Sequence, residues 1–168
     1  TGKYKNSRAT AIFNKSYELY HLERVKKGSG KAPEIYLMEG FMDVIAAYRA
    51  GIENAVASMG TALTSEHVEH LKRFTQKVIV TYDGDKAGQA ATAKALDELK
   101  NLPVQVVQIP DAMDPDEYLQ KNSPQDLAYL LTNTRISPVE FYIHHFRPEN
   151  SENLQAQIEF IEKIAPLI

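Results

Sequence analysis

Four short apolar runs, each followed by a stretch of helical spacing, constrain this chain more than any other feature. They are Ile35-Tyr36-Leu37-Met38, Asn54-Ala55-Val56-Ala57-Ser58, Val78-Ile79-Val80-Thr81-Tyr82 and Val104-Gln105-Val106-Val107-Gln108-Ile109. Helices are predicted over 41–50, 65–74 and 89–99, and in a short segment after Pro115. Strands that alternate with helices at this spacing imply an α/β fold: a mainly parallel four-stranded sheet with helices on both faces. Strands buried on both faces read as continuous apolar runs, as these do. The punctuation agrees. Gly51 closes the first of these helices, Thr64 or Ser65 caps the second, and Pro110 stops the fourth strand.

The flanks read differently. Residues 1–32 form a basic segment and a helix leading into the core. Lys3, Lys5, Arg8 and Lys15 stand there with no acids among the first fifteen residues, either gripping phosphates or forming a solvated terminus. A helix is predicted over 16–26, with Ser16 as N-cap and Tyr17, Leu19, Tyr20 and Val25 as its apolar positions. The loop Lys26-Lys27-Gly28-Ser29-Gly30-Lys31 lacks the residue order of a phosphate-binding P-loop. Residues 33–122 hold the α/β unit. Residues 123–168 read as helical throughout, over 124–132, 137–146 and 152–165, with an apolar stripe of Leu154, Ile158, Ile161 and Ala165. That stripe runs to the last residues, so a further helix is expected beyond them, outside a truncated segment.

Hydrophobic residues make up 43% of the 168, enough for a real core. No apolar run approaches the ~18 residues that span a bilayer, and the polar opening does not resemble a secretory leader. With no cysteine, disulfides and cysteine–zinc sites are excluded. The net charge of −3 lacks the basic excess usual in nucleic-acid binders. An acidic cluster that binds metal ions, however, is neutralised once loaded.

The acids fall where such a cluster would form. Parallel strands bring their carboxyl ends to one edge of the sheet, where ligands bind. Glu39 follows the first strand, Asp83 and Asp85 the third, Asp114 and Asp116 the fourth. Asp83 and Asp85, two apart, face one way in an extended chain. Hard oxygen donors without Cys or His suit Mg²⁺ or Mn²⁺. Each acid also has a plainer reading: Asp-Gly-Asp as a turn with Asp85 as a helix cap, Asp43 as a partner of its helix dipole, Asp114-Pro115-Asp116 as a helix start. Three acidic sets at three strand ends favour the metal. His67 and His70, three apart without a third ligand in sequence, are expected at surface or packing positions.

The strings Glu39-Gly40-Phe41-Met42-Asp43-Val44, Ala57-Ser58-Met59-Gly60-Thr61, Tyr82-Asp83-Gly84-Asp85-Lys86-Ala87-Gly88 and Asp114-Pro115-Asp116-Glu117-Tyr118 resemble the Toprim domain of bacterial DnaG-type primases. Lys3-Tyr4-Lys5-Asn6-Ser7 and Ile12-Phe13-Asn14-Lys15 resemble the segment that precedes it, so the likeness covers roughly 3–120. The resemblance implies a Toprim fold over 33–122. It also implies a DNA-directed RNA polymerase that makes short RNA primers on single-stranded DNA by two-metal nucleotidyl transfer. Glu39, Asp83 and Asp85 would be catalytic and bind Mg²⁺ or Mn²⁺, with Asp43, Asp114 and Asp116 as further acids of the metal site. Lys3, Tyr4, Asn6 and Lys15, and more weakly Lys86, would hold the nucleotide triphosphate. The partners implied are a DNA template, NTPs, an RNA primer and, through a domain missing from this chain, the replicative helicase of the primosome. A cytoplasmic monomer with no membrane contact is expected. The zinc-binding, basic and helicase-binding domains of the family do not appear in these residues, so the chain alone should synthesise little or no primer. A Toprim nuclease or topoisomerase fragment, or a non-catalytic nucleotide-binding regulatory module, would use the same acids.

Overall fold

The computed structural model describes residues 19–25, 31–147 and 154–167. Five strands form one sheet: β1 (Ile35–Met38), β2 (Ala55–Ala57), β3 (Val78–Val80), β4 (Val104–Val107) and β5 (Arg135–Ile136). Their order is β2-β1-β3-β4-β5. The first four are mutually parallel, and β5 runs antiparallel to β4, pairing Val106 with Ile136 and Val107 with Arg135. This two-residue strand interrupts the stretch predicted to be wholly helical. It carries only one turn of alternation, too little for a periodicity signal.

The helices are α1 (Leu22–Val25), α2 (Phe41–Arg49), α3 (Ser65–Phe74), α4 (Lys86–Glu98), α5 (Pro115–Lys121), α6 (Pro124–Asn133), α7 (Pro138–Phe146) and α8 (Leu154–Ile164). The start signals are chemical. Thr64, Asp114, Ser123 and Ser137 each accept the N–H of the residue three ahead, whose side chain accepts the cap's own N–H in return. Pro115, Pro124 and Pro138 occupy first-turn positions, where the missing N–H costs nothing. In α3 the reciprocal partner is His67, whose Nδ1 accepts from Thr64 N–H at 3.1 Å. His67 and His70 are both buried, so they pack inside rather than at the surface.

Alternation along the strands splits the core into two faces. Ile35, Leu37, Val78, Val80 and Val106 point one way, against Leu71 of α3, Leu96 of α4 and Phe141 of α7. Tyr36, Met38, Ile79 and Val107 point the other way, against Val44 and Ala47 of α2, Leu119 of α5 and Leu131 of α6. Every residue of β1 and β3 is buried, the three-layer burial that their apolar runs predict. Arg135 clasps the helical segment to the start of β1. It forms a two-pronged ion pair with Glu34, donates to the hydroxyl of Tyr36, and donates from Nε to Leu131 carbonyl at 3.2 Å.

Two helical expectations change. Leu19 to His21 do not continue a helix. Tyr20 instead pairs with Ala57, donating at 2.8 Å and accepting at 3.2 Å, and so covers the open edge of β2. His21 then turns with φ of 73° before α1 begins. In α8, Ile158 and Ile161 of the predicted stripe are exposed and Ile164 turns inward instead. Among the described residues, no helix is long and apolar enough to cross a membrane.

Candidate metal and phosphate site

The chain crosses from β1 outward to β2, then returns past β1 to place β3 on its other side. Such a reversal leaves a crevice beyond the carboxyl ends of β1 and β3. Glu39 is the first residue after β1, and Asp83 lies three residues after β3. The two side chains meet there. Burial first, then the charge of Asp83, pushes Glu39 up to about 7. Burial and the charge of Asp85 raise Asp83 as well. Glu39 Oε1 and Asp83 Oδ1 are buried and have no hydrogen-bond partner. Burying carboxyl oxygens without a partner is costly, and a cation bound between the two groups would relieve that cost.

Strand alternation does not aim Asp83 and Asp85, because the chain has left β3 before either. Thr81 N–H still donates to Leu37 carbonyl at 2.8 Å, and β3 pairing ends there. Asp85 is the N-cap of α4, its Oδ1 accepting Gly88 N–H at 2.7 Å. Helix α4 therefore starts at Lys86, three residues before the predicted Gln89. Asp85 is exposed, and its charge reaches both Glu39 and Asp83. Lys86 lies exposed in the first turn of α4.

Two glycines allow this crowding. A Cβ on Gly84 would lie 2.1 Å from Ile109 carbonyl oxygen, and one on Gly88 would lie 2.0 Å from Asp83 carbonyl oxygen. Gly84 N–H also donates to Met113 carbonyl at 2.9 Å, tying the loop after β3 to the loop after β4. The adjoining turns are strained. Met59 and Gly60 after β2, and Asp111 and Ala112 after β4, are consecutive residues at positive φ. Non-glycine residues pay roughly 1–2 kcal/mol each for that conformation, and such strain gathers at functional sites.

A second group of acids adjoins the first. Asp43, buried in the first turn of α2, accepts Asp116 N–H on Oδ1 at 3.2 Å. Burial, then the charges of Asp114 and Asp83, push it up to about 8. Asp114 caps α5, accepting Glu117 N–H at 2.7 Å, and burial raises it to about 6. The Asp116 carboxylate turns outward to Gln120. Glu117, which sequence reasoning left out of the site, adds its charge to both Asp83 and Asp114. Its signal was the Asp-Pro-Asp-Glu spacing of a capping box. None of these acids forms an ion pair with a lysine or arginine among the described residues.

As the chain stands, no three His, Asp or Glu side chains among the described residues converge into a ligating cluster. Glu39 and Asp83 are the pair that fits a hard divalent cation: all-oxygen donors, two orphaned atoms, and a local excess of negative charge. Lys3, Tyr4, Asn6 and Lys15 lie outside the described residues. Beside Glu39 opens a cleft of about 450 Å³, walled by the Gly60–Leu63 loop and by Ala87, Ala90, Ala91 and Lys94 of α4.

A family model described as Toprim-like matches residues 36–119. The chain is 53% identical over 166 residues to a DNA primase of Lactococcus lactis subsp. lactis (strain IL1403), covering 99% of this chain and 26% of that protein. It is similar to a DNA primase domain from Pseudomonas aeruginosa, with a TM-score of 0.82 and 31% identity over 99% of this chain and 54% of that one. It is also similar to a DnaG primase catalytic domain bound to ssDNA, with a TM-score of 0.81 and 30% identity over 99% of this chain and 56% of that one. The chain spans about a quarter of the length of the curated relatives it matches.

Proposed function

The chain belongs to the Toprim-like family, and from that premise we propose that it is the nucleotidyl-transfer core of a DnaG-type DNA primase. The reaction is template-directed RNA primer synthesis on single-stranded DNA. A 3′-hydroxyl oxygen bonds to the α-phosphorus of an incoming NTP, the bond to the β-phosphate oxygen breaks, and pyrophosphate leaves. One observation carries the reading: Glu39 and Asp83, which interact at the carboxyl ends of β1 and β3, each keep one buried carboxyl oxygen without a hydrogen-bond partner.

Glu39 and Asp83 would hold a divalent cation, Mg²⁺ or Mn²⁺, with Asp85 beside them and Asp43, Asp114 and Asp116 extending the acidic shell. When bound, such ions supply charge neutralisation for the phosphates and an activated hydroxyl in phosphoryl transfer. The chain's own groups do the rest. Glu39, at about 7, is only about half ionised at neutral pH, and cation binding would drive off the remaining proton. Gly84 and Gly88 fix the backbone that carries Asp83. Lys86 lies exposed in the first turn of α4; like Lys3, Tyr4, Asn6 and Lys15, it is assigned to the triphosphate on resemblance alone.

The working boundaries are 1–32, 33–122 and 123–168. Template, NTPs and primer are the proposed partners, with helicase contact through parts of the longer relatives outside this chain. A cytoplasmic monomer is the corresponding state. Isothermal titration of Mn²⁺ into the wild-type chain, Glu39→Gln and Asp83→Asn tests the site. The expected result is binding that each variant weakens at least about tenfold. Absence of Mn²⁺ binding at millimolar concentration, or equal binding by all three proteins, would sink the assignment. In the protein of full relative length, extension of labelled primer supports the polymerase. Shortening of labelled single-stranded DNA would make it a nuclease instead.

A further inference from the structure

Asp83 sits on a turn whose next residue has no side chain to anchor it. Gly84 is confined on one side, where a Cβ would lie 2.1 Å from Ile109 carbonyl oxygen. Any hold on Gly84 therefore runs through its two backbone groups. Its N–H donates to Met113 carbonyl at 2.9 Å, in the loop after β4. Its carbonyl accepts from the Nε2 amide of Gln89 at 3.2 Å, near the start of α4. Gln89 is half-buried and is itself fixed, because its own N–H donates to Asp85 carbonyl at 2.9 Å. The side chain thus reaches back five residues across the helix start, a span that helical periodicity does not announce. Beside the turn lies a cavity of about 280 Å³, lined by Asp83, Gly84, Gln89, Thr92 and Ala112. It has room for several waters. Without an amide donor the Gly84 carbonyl is free to turn toward that space and to carry the neighbouring Asp83 with it.

The residue type matters. A glutamate of the same length has no proton to give at neutral pH, and it would add a charge to acids already crowded together. A lysine or arginine would donate, but would set a positive charge beside the proposed cation. Glutamine donates without charge. We propose that Gln89 is a positioning residue of the metal site: through Gly84 carbonyl it holds Asp83 where Asp83 can share a cation with Glu39. The inference rests on the metal reading of Glu39 and Asp83, and gives the first turns of α4 a second task beside the cap at Asp85.

The test is a double-mutant cycle on Mn²⁺ affinity in the whole chain, read from the electron paramagnetic resonance signal of free Mn²⁺. Gln89→Met keeps the side-chain length and removes the donor. It is made in wild type and in Asp83→Asn. Ser123→Ala, which removes the cap of α6, serves as a control for ordinary destabilisation. Each protein is checked for an unchanged circular dichroism spectrum. Gln89→Met should weaken Mn²⁺ binding about threefold to tenfold, the worth of one hydrogen bond. In the Asp83→Asn background it should change affinity by less than about twofold, because the residue it positions no longer ligates. Ser123→Ala should lower the melting temperature and keep Mn²⁺ affinity within about twofold. Equal weakening in both backgrounds, or weakening by Ser123→Ala as large as by Gln89→Met, overturns the inference. If wild type binds Mn²⁺ and Glu39→Gln weakens it while Gln89→Met does not, the positioning role falls alone and the metal site stands. If wild type binds no Mn²⁺ at millimolar concentration, both fall. If the cycle shows the coupling but the protein of full relative length shortens DNA instead of extending primer, the positioning role stands and the polymerase reading falls.

Discussion

Replacing Asp43 by Asn should stabilise the metal-free chain, and more so as pH rises. Asp43 is buried under α5, accepts one N–H, and sits beside Asp114 with no cation among its described neighbours. Its acidity is displaced from 3.8 to about 8. In the unfolded chain the group ionises near pH 4; in the folded chain it keeps its proton to about 8. Between those values the folded state binds more protons, so stability falls as pH rises. At ~1.36 kcal/mol per unit, about four units amount to roughly 5 kcal/mol as an upper limit. Relaxation and water entry should leave about 3 kcal/mol of it measurable. Asn keeps the acceptor for Asp116 N–H and removes the titration. At pH 5 the variant should exceed wild type by only about a quarter of the full difference. At pH 8.5, in EDTA, it should melt roughly 6–12 °C higher, at 2–4 °C per kcal/mol for a chain of this size. Thermal unfolding at both pH values decides it. An Asn variant that melts lower than wild type at pH 8.5 would mean that Asp43 is a favourably ionised group, and would remove the electrostatic account of the acidic shell.

Other perturbations separate position from chemistry. Gly88→Ala puts a methyl where Asp83 carbonyl oxygen stands, so Mn²⁺ affinity should drop at least about tenfold by calorimetry while the circular dichroism spectrum is kept. Arg135→Met should cost about 2 kcal/mol in urea unfolding, because it leaves Glu34 with Lys77 alone, and should leave Mn²⁺ affinity unchanged. Leu71→Ala, at a fully buried position under the sheet, should cost about 2–5 kcal/mol in the same assay. Thr64→Ala should cost about 1 kcal/mol by removing the cap of α3.

Much of the α/β unit was legible because its signals are local and repeated. The boundaries of β1, α2 and α3 follow from an apolar run ended at Glu39, a helix closed by Gly51 and a helix start capped by Thr64. The acids were legible as a set because parallel strands deliver their ends to one edge. Their individual geometry was not. Asp85 is both a cap and a contributor of charge, so the turn reading and the site reading describe the same residue. Glu117 escaped notice because it belongs to an ordinary helix start, and only the fold brings its charge beside Asp83. Tyr20 and β5 escaped for a different reason. Each is one or two residues whose conformation is decided by a partner far away in the chain, Ala57 in one case and Val106 with Val107 in the other. The Toprim-like match over 36–119 adds a boundary that periodicity alone does not draw.

The two short antiparallel pairings have a colloidal consequence. A parallel sheet ends in two rows of unused donors and acceptors, open to any extended chain that drifts past. Here Tyr20 closes part of one row and Arg135–Ile136 part of the other, and both closing segments are too short to offer a continuous new edge. Among the described residues, each edge thus has fewer open backbone groups with which to recruit a second copy. A sheet with part of each edge covered in this way offers less template for edge-to-edge association than one with both outer strands bare, even where bound cations have cancelled the charge repulsion between molecules.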